Sequence, residues 1–140
     1  NAVQKDQPDS TKYLPYTPPA KYRTELKFLC IGGKTIKNGY AKVGMDYYFA
    51  QNKIYYKYGN ETVTPAYALI NAGIGGDICS HDRVLFSVYV YALNVGDVAY
   101  QSSMSRLKYT DPNNVTGRIG VFNMGRNLSI KLIIPVDIKK

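Results

Sequence analysis

Cys79-Ser80-His81-Asp82 sets a thiol, a hydroxyl, an imidazole and a carboxylate in four consecutive positions. These are the groups of a nucleophile, base and orienter, but such a relay needs convergence in space. Neighbours on an extended chain rarely converge. The run therefore predicts a polar loop with His81 exposed. The chain has one His, which excludes a multi-His metal centre. Cys79, His81 and Asp82 would hold a metal only if Cys30 joined them. Gly73-Ile74-Gly75-Gly76-Asp77 is glycine-rich, yet it is not G-x-G-x-x-G and no Gly-Lys-Ser/Thr follows. It reads as a flexible surface loop rather than a phosphate cradle. Nothing in the spacing of the 10 Asp and Glu residues sets two carboxylates across a cleft, as glycoside hydrolysis requires. The expectation is a protein that is not an enzyme, with no catalytic residue, no metal and no cofactor.

Recognition chemistry is better represented. The chain carries 14 Tyr against 4 Phe, and 18 Lys and Arg against 10 acids, for a net charge of +8. A tyrosine ring is apolar with a polar tip, which suits half-buried strands and binding surfaces. Lys53-Ile54-Tyr55-Tyr56-Lys57-Tyr58 is the strongest local candidate. Flat rings beside cations can stack on sugars or bases and can pair with acidic groups. The predicted ligand-binding patch is Lys42, Tyr48, Lys53, Tyr55 and Lys57.

That patch depends on the strands that carry it. Ala41, Val43, Met45, Tyr47 and Phe49 alternate with Lys42, Gly44, Asp46 and Tyr48; Ile54, Tyr56 and Tyr58 alternate with Tyr55 and Lys57. Period two means a strand with one dry face and one wet face. A four-residue loop, 50–53, would set Phe49 opposite Ile54, Tyr47 opposite Tyr56 and Met45 opposite Tyr58. On the wet side it would pair Tyr48 with Tyr55 and Asp46 with Lys57, each pair worth about 0.2–1 kcal/mol.

The same alternation runs through Tyr22, Thr24, Leu26, Phe28 and Cys30, and Asn38-Gly39 is a strong hairpin signal. Residues 65–70 suit a short strand or one helical turn, and 71–82 read as a long glycine-bearing loop. From Val84 to Leu93 both faces are apolar or aromatic, as in a central strand covered on both sides. Further strands are predicted at 98–104, 115–122 and 128–134, with Pro135 interrupting the tail before Val136-Asp137-Ile138. Residues 1–20 hold Pro8, Pro15, Pro18 and Pro19 and no periodicity, so they form an irregular N-terminal arm. No helical pattern extends beyond two turns. The fold class is all-β: a single-domain antiparallel β-sandwich, or partly open barrel, of about 7–9 short strands over residues 21–140.

Cys30 and Cys79 belong to no C-x-x-C motif. A disulfide between them would close a large loop and stabilise by about 4 kcal/mol in the chain-entropy model. It would also imply an extracellular, periplasmic or cell-surface location. Sequons occur at Asn60, Asn114 and Asn127. The apolar run 84–95 is about half the length a helix needs to cross a bilayer, so no membrane span is expected.

Three functions follow. The first is a secreted, periplasmic or cell-surface binding module, adhesin- or lectin-like, whose partner is a glycan or a protein of acidic character. At the level of fold alone such a domain resembles the lectin-type or pilin-type sandwiches of surface fibres, though 1–20 lack the apolar alternation of an exchanged strand. The second is a structural subunit, oligomeric or built into a surface or secretion assembly. The third is a basic β-barrel that binds nucleic acid, which requires reduced cysteines.

Overall fold

A computed structural model describes residues 3–4, 6–8, 11–30, 32–57, 59, 61–81 and 83–136. The fold is all-β. Five strands follow one another: β1 (Lys21–Cys30), β2 (Ile36–Tyr48), β3 (Tyr67–Ser80), β4 (Arg83–Leu93) and β5 (Asn127–Ile133). They form one antiparallel sheet in the order β1-β2-β3-β4-β5. The helical element among the described residues is a 3-10 turn, Arg106–Tyr109, capped by the Ser105 hydroxyl accepting from the Leu107 N–H.

By contact the chain divides into two compact units, each assembled from separate segments: 1–22, 47–68 and 98–125 form the first, and 23–46, 69–97 and 126–140 the second. The first unit is largely irregular. Gln51 and Thr64 exchange backbone hydrogen bonds in an isolated bridge, Phe49 N–H donates to the Ala20 carbonyl, and Ile54 is buried. Residues 3–20 carry no strand among the described positions, only the bridge Val3↔Tyr13.

The second unit holds most of the sheet. Alternation places Leu26, Phe28 and Cys30 of β1 and the even-numbered Ile74, Gly76 and Ile78 of β3 on one face. In register, Ile74 lies opposite Val90, Gly76 opposite Val88 and Ile78 opposite Phe86. Val88 in turn lies opposite Leu132 and Val90 opposite Ile130. On β2 a Cβ on Gly39 would meet the Cys30 Cβ, which sets Ala41, Val43 and Met45 on the same side, so this face is apolar and mainly aliphatic across all five strands. The other face carries Arg23, Glu25, Lys27, Tyr40, Lys42, Asp46, Tyr89 and Tyr91.

Strands β1, β4 and β5 lie where alternation predicts them. Four other expectations are corrected. The glycine-rich stretch 71–80 is strand, not loop. Here Gly73 opposes Tyr91 and Gly75 opposes Tyr89, and each tyrosine ring fills the space a Cβ would need. The rings supply the contact that glycine lacks, so a segment of low strand propensity is held extended by its neighbour. Asn38-Gly39 is not a hairpin turn but lies inside β2. Asn38 keeps φ +53 there, while a Cβ on Gly39 would sit 3.2 Å from the Cys30 Cβ. Residues 54–57 are not a strand. The two edges of β2 are taken by β1 and β3, so no ladder remains for Tyr55 and Lys57; Tyr58 lies outside the described residues. The segments 98–104 and 115–122 are irregular apart from turns, and the tail at 137–138 lies outside the described residues.

The expected disulfide is absent: Cys30 and Cys79 are free thiols, the first exposed and the second buried. With β2 between β1 and β3, two interstrand spacings, roughly 9.5 Å, separate their strands, beyond the ~7 Å Cα separation a disulfide can span. The argument for an oxidising compartment that rested on the bridge goes with it.

Candidate functional site

The aliphatic face is the dominant surface feature. Its strands alternate as the sequence demands, but no described layer covers it. Leu26 is 62%, Phe28 61%, Ile74 57% and Ile130 70% exposed. Strand β4, interior in the sheet, keeps Val84, Leu85 and Leu93 exposed instead of covered on both sides. The buried apolar residues among the described ones are Ile54, Leu69 and Cys79, a thin core for a chain of 140 residues.

A groove of about 630 Å³ is sunk into this face. Gly39 and Gly76 form its floor, and a Cβ on Gly76 would lie 3.1 Å from the Gly39 Cα. The strands therefore approach closely where neither carries a side chain. Ile36, Ile74, Ile78, Val88 and Val90 form the walls, with Lys34 at the rim. The volume is in the range that binds small molecules or single side chains.

The opposite face is an interlocked polar network. Asp46, buried, accepts from Arg23 Nε at 2.5 Å and Nη2 at 3.0 Å, and from Asn71 Nδ2 at 3.4 Å. The bidentate geometry is that of a strong Arg–carboxylate pair. Lys42 Nζ donates to Glu25 at 3.2 Å and lies 5.7 Å from the Tyr91 ring centre. Lys27 lies 4.8 Å above Tyr40. The Tyr40 and Tyr91 hydroxyls are 2.7 Å apart. That hydrogen bond, with burial adding to it, pushes the Tyr40 pKa up to about 12. Asp77 accepts from Ser87 at 2.6 Å and Asn38 at 2.7 Å. The Ser87 bond first, and the Asn38 bond second, hold its carboxyl below the usual range.

The first unit has its own aromatic column. Tyr48 stacks on Tyr67 at 4.6 Å and Tyr67 on Tyr100 at 4.7 Å. Lys21 sits over Tyr48 at 4.7 Å and donates to its hydroxyl at 2.9 Å. Burial, then the two flanking tyrosines, push Tyr67 up to about 12. Lys108 is buried and donates to the Thr64 hydroxyl. Burial pulls its ammonium below the usual lysine range, against the opposing effect of Glu61. Glu61 accepts from the backbone N–H groups of Tyr16 and Tyr55.

The residues of the predicted patch are divided between the two units. Lys42 belongs to the second unit and is engaged by Glu25 and Tyr91. Tyr48, Lys53, Tyr55 and Lys57 belong to the first. Tyr48 is the end of a stack, Tyr55 is half-buried in irregular chain, and Lys53 and Lys57 are exposed. In the polar run, Ser80 Oγ and His81 Nδ1 are 3.1 Å apart on the surface, while the Cys79 thiol is buried. His81 takes φ +47, the left-handed backbone of a tight turn beside the last β3–β4 pair, Ser80↔Arg83. Asp82 and Asn60 lie outside the described residues. Among those described, no group of three or more His, Cys, Asp or Glu could hold a metal, and no helix is long and apolar enough to cross a membrane. The alternation of 22–30 and 41–49 shows part of this face as dry; the part on β3, expected to be loop, and the continuity and exposure of the whole are not visible in the sequence.

No protein-family model, no curated protein and no solved structure matches this chain.

Proposed function

We propose that the chain is a non-enzymatic binding module that recognises a protein partner through the aliphatic face of its sheet. The carrying observation is the exposure of that face across five strands, with Leu26, Phe28, Ile74 and Ile130 each more than half exposed. Apolar patches of this extent mark interaction surfaces. Full burial of one such side chain is worth about 1.5–3 kcal/mol, so a partner gains more here than on the tyrosines. Three of the rings a glycan could stack on are already engaged: Lys27 and Lys42 lie over Tyr40 and Tyr91, and Lys21 over the Tyr48 stack. A partner's layer on this face would complete the two-layer sandwich that the alternating strands call for.

Hydroxyl-radical footprinting of the monomeric chain tests the reading. Phe28 and Ile130 should oxidise readily, and Ile54 and Leu69 should resist. Equal protection of all four in a monomer would mean that the chain covers its own face, and the reading would fail.

A second reading, nucleic-acid binding by the basic polar face, is favoured by the two free thiols. It requires affinity for a single-stranded oligonucleotide that falls steeply with salt. No binding at low ionic strength would dismiss it.

A further inference from the structure

Resting on the reading of the aliphatic face as a protein-binding surface, we propose that its occupant is a second copy of this chain. The two faces pack on each other across a two-fold axis and make a sandwich between chains.

Three observations carry this. The first is size. In the second unit the strands average about ten residues, so five of them at ~4.8 Å spacing and ~3.4 Å per residue present a face of roughly 800 Å². That matches the ~800 Å² per partner of a standard stable interface. The second is charge. The chain carries +8 overall, which would repel a second copy at most of its surface. Yet the strand residues of this face, Leu26, Phe28, Ile74, Val88, Ile130 and their neighbours, carry no charge, and Lys34 is the one charged residue among those described that lines its groove. An isologous contact requires a surface compatible with itself, and an uncharged aliphatic face meets that condition. The third is shape. The glycine-floored groove between Ile74 and Val88 is a concavity in an otherwise side-chain-covered face. An exposed side chain of the facing copy can enter it, and the twofold repeats that contact.

Sedimentation velocity across a micromolar concentration series, paired with footprinting, tests the proposal. The chain should dimerise, with Phe28 and Ile130 protected in the dimer. Ile130→Lys on β5 and Val88→Lys on β4 should each weaken dimerisation by about a hundredfold, because each lysine enters the interface twice. Circular dichroism checks that the sheet is kept. If Val88→Lys unfolds, Ile130→Lys decides alone, since Ile130 is on an edge strand and 70% exposed. A dimer indifferent to Ile130→Lys would overturn the proposal. So would a monomer with Phe28 and Ile130 reactive, which leaves the face open for an unlike protein and the broader reading intact. A monomer with the face protected would overturn both.

Discussion

Replacing Gly75 by alanine probes how the sheet holds its aromatic face. Gly75 stands opposite Tyr89 in the β3–β4 register. A Cβ there would overlap Tyr89 Cδ1 and lie 3.1 Å from Tyr40 Cε1. The ring must turn off the strand to relieve the overlap, and its packing 6.3 Å from the Tyr40 ring is then disturbed. Overpacking of this kind costs about 1–3 kcal/mol. Relief of glycine's extra backbone entropy in a strand returns about 0.5–1 kcal/mol. The expected net loss is about 1–2 kcal/mol, measured as a lower urea midpoint with an unchanged slope. In a Tyr89→Ala background the overlap is gone, so Gly75→Ala should stabilise by about 0.5–1 kcal/mol. Gly33→Ala, with nothing within 4 Å of the added Cβ, serves as the control and should not destabilise. A Gly75→Ala chain as stable as the parent, or an equal loss with and without Tyr89, would refute the claim that the ring occupies the glycine's side-chain space.

Thiol titration without reductant should find two reactive sulfhydryls in denaturant but one fast-reacting group, Cys30, in the native chain, because Cys79 is buried; fewer than two in denaturant would restore the bridge. Tyr40 and Tyr67 are raised from 10.0 to about 12, so folding favours their neutral forms. Their contribution is complete below pH about 10 and is lost as pH rises toward 12; Tyr67→Phe should blunt the alkaline loss followed by denaturant melts at successive pH values. Asp77 is shifted the other way, so its contribution is present above the ordinary carboxylate range and is lost as pH falls through its depressed value. Carboxyl-carbon NMR should show Ser87→Ala raising the Asp77 pKa more than Asn38→Ala does. Asp46→Ala removes a buried acceptor of charged hydrogen bonds from Arg23 and should cost about 1.5–3 kcal/mol in chemical denaturation.

Alternation is a local property, and where it is strong the sequence was sufficient. The runs 22–30, 84–93 and 128–133 are strands because apolar side chains recur every second residue and each has a neighbouring strand to pair with. The dry face of 22–30 is legible too, and it coincides with the surface proposed for binding. The strand expected to carry Tyr55 and Lys57 is not formed, for a reason no local pattern contains. Tyr55 and Lys57 alternate correctly, but pairing is competitive, and β1 and β3 occupy the edges of β2. Tyr48 has the same composition cue as Tyr55, yet its neighbour is Tyr67, whose segment suits a strand or a helical turn equally by local pattern.

From the order of residues alone come the all-β class, the alternation of most strands and the excess of positive charge. The fold in space decided three further things. It made 71–80 part of a strand, because Tyr91 and Tyr89 cover Gly73 and Gly75. It kept Cys30 and Cys79 apart, because a strand intervenes. And it left the aliphatic side chains uncovered, because burial depends on what packs above a sheet, and the period of a strand records only which side must be dry.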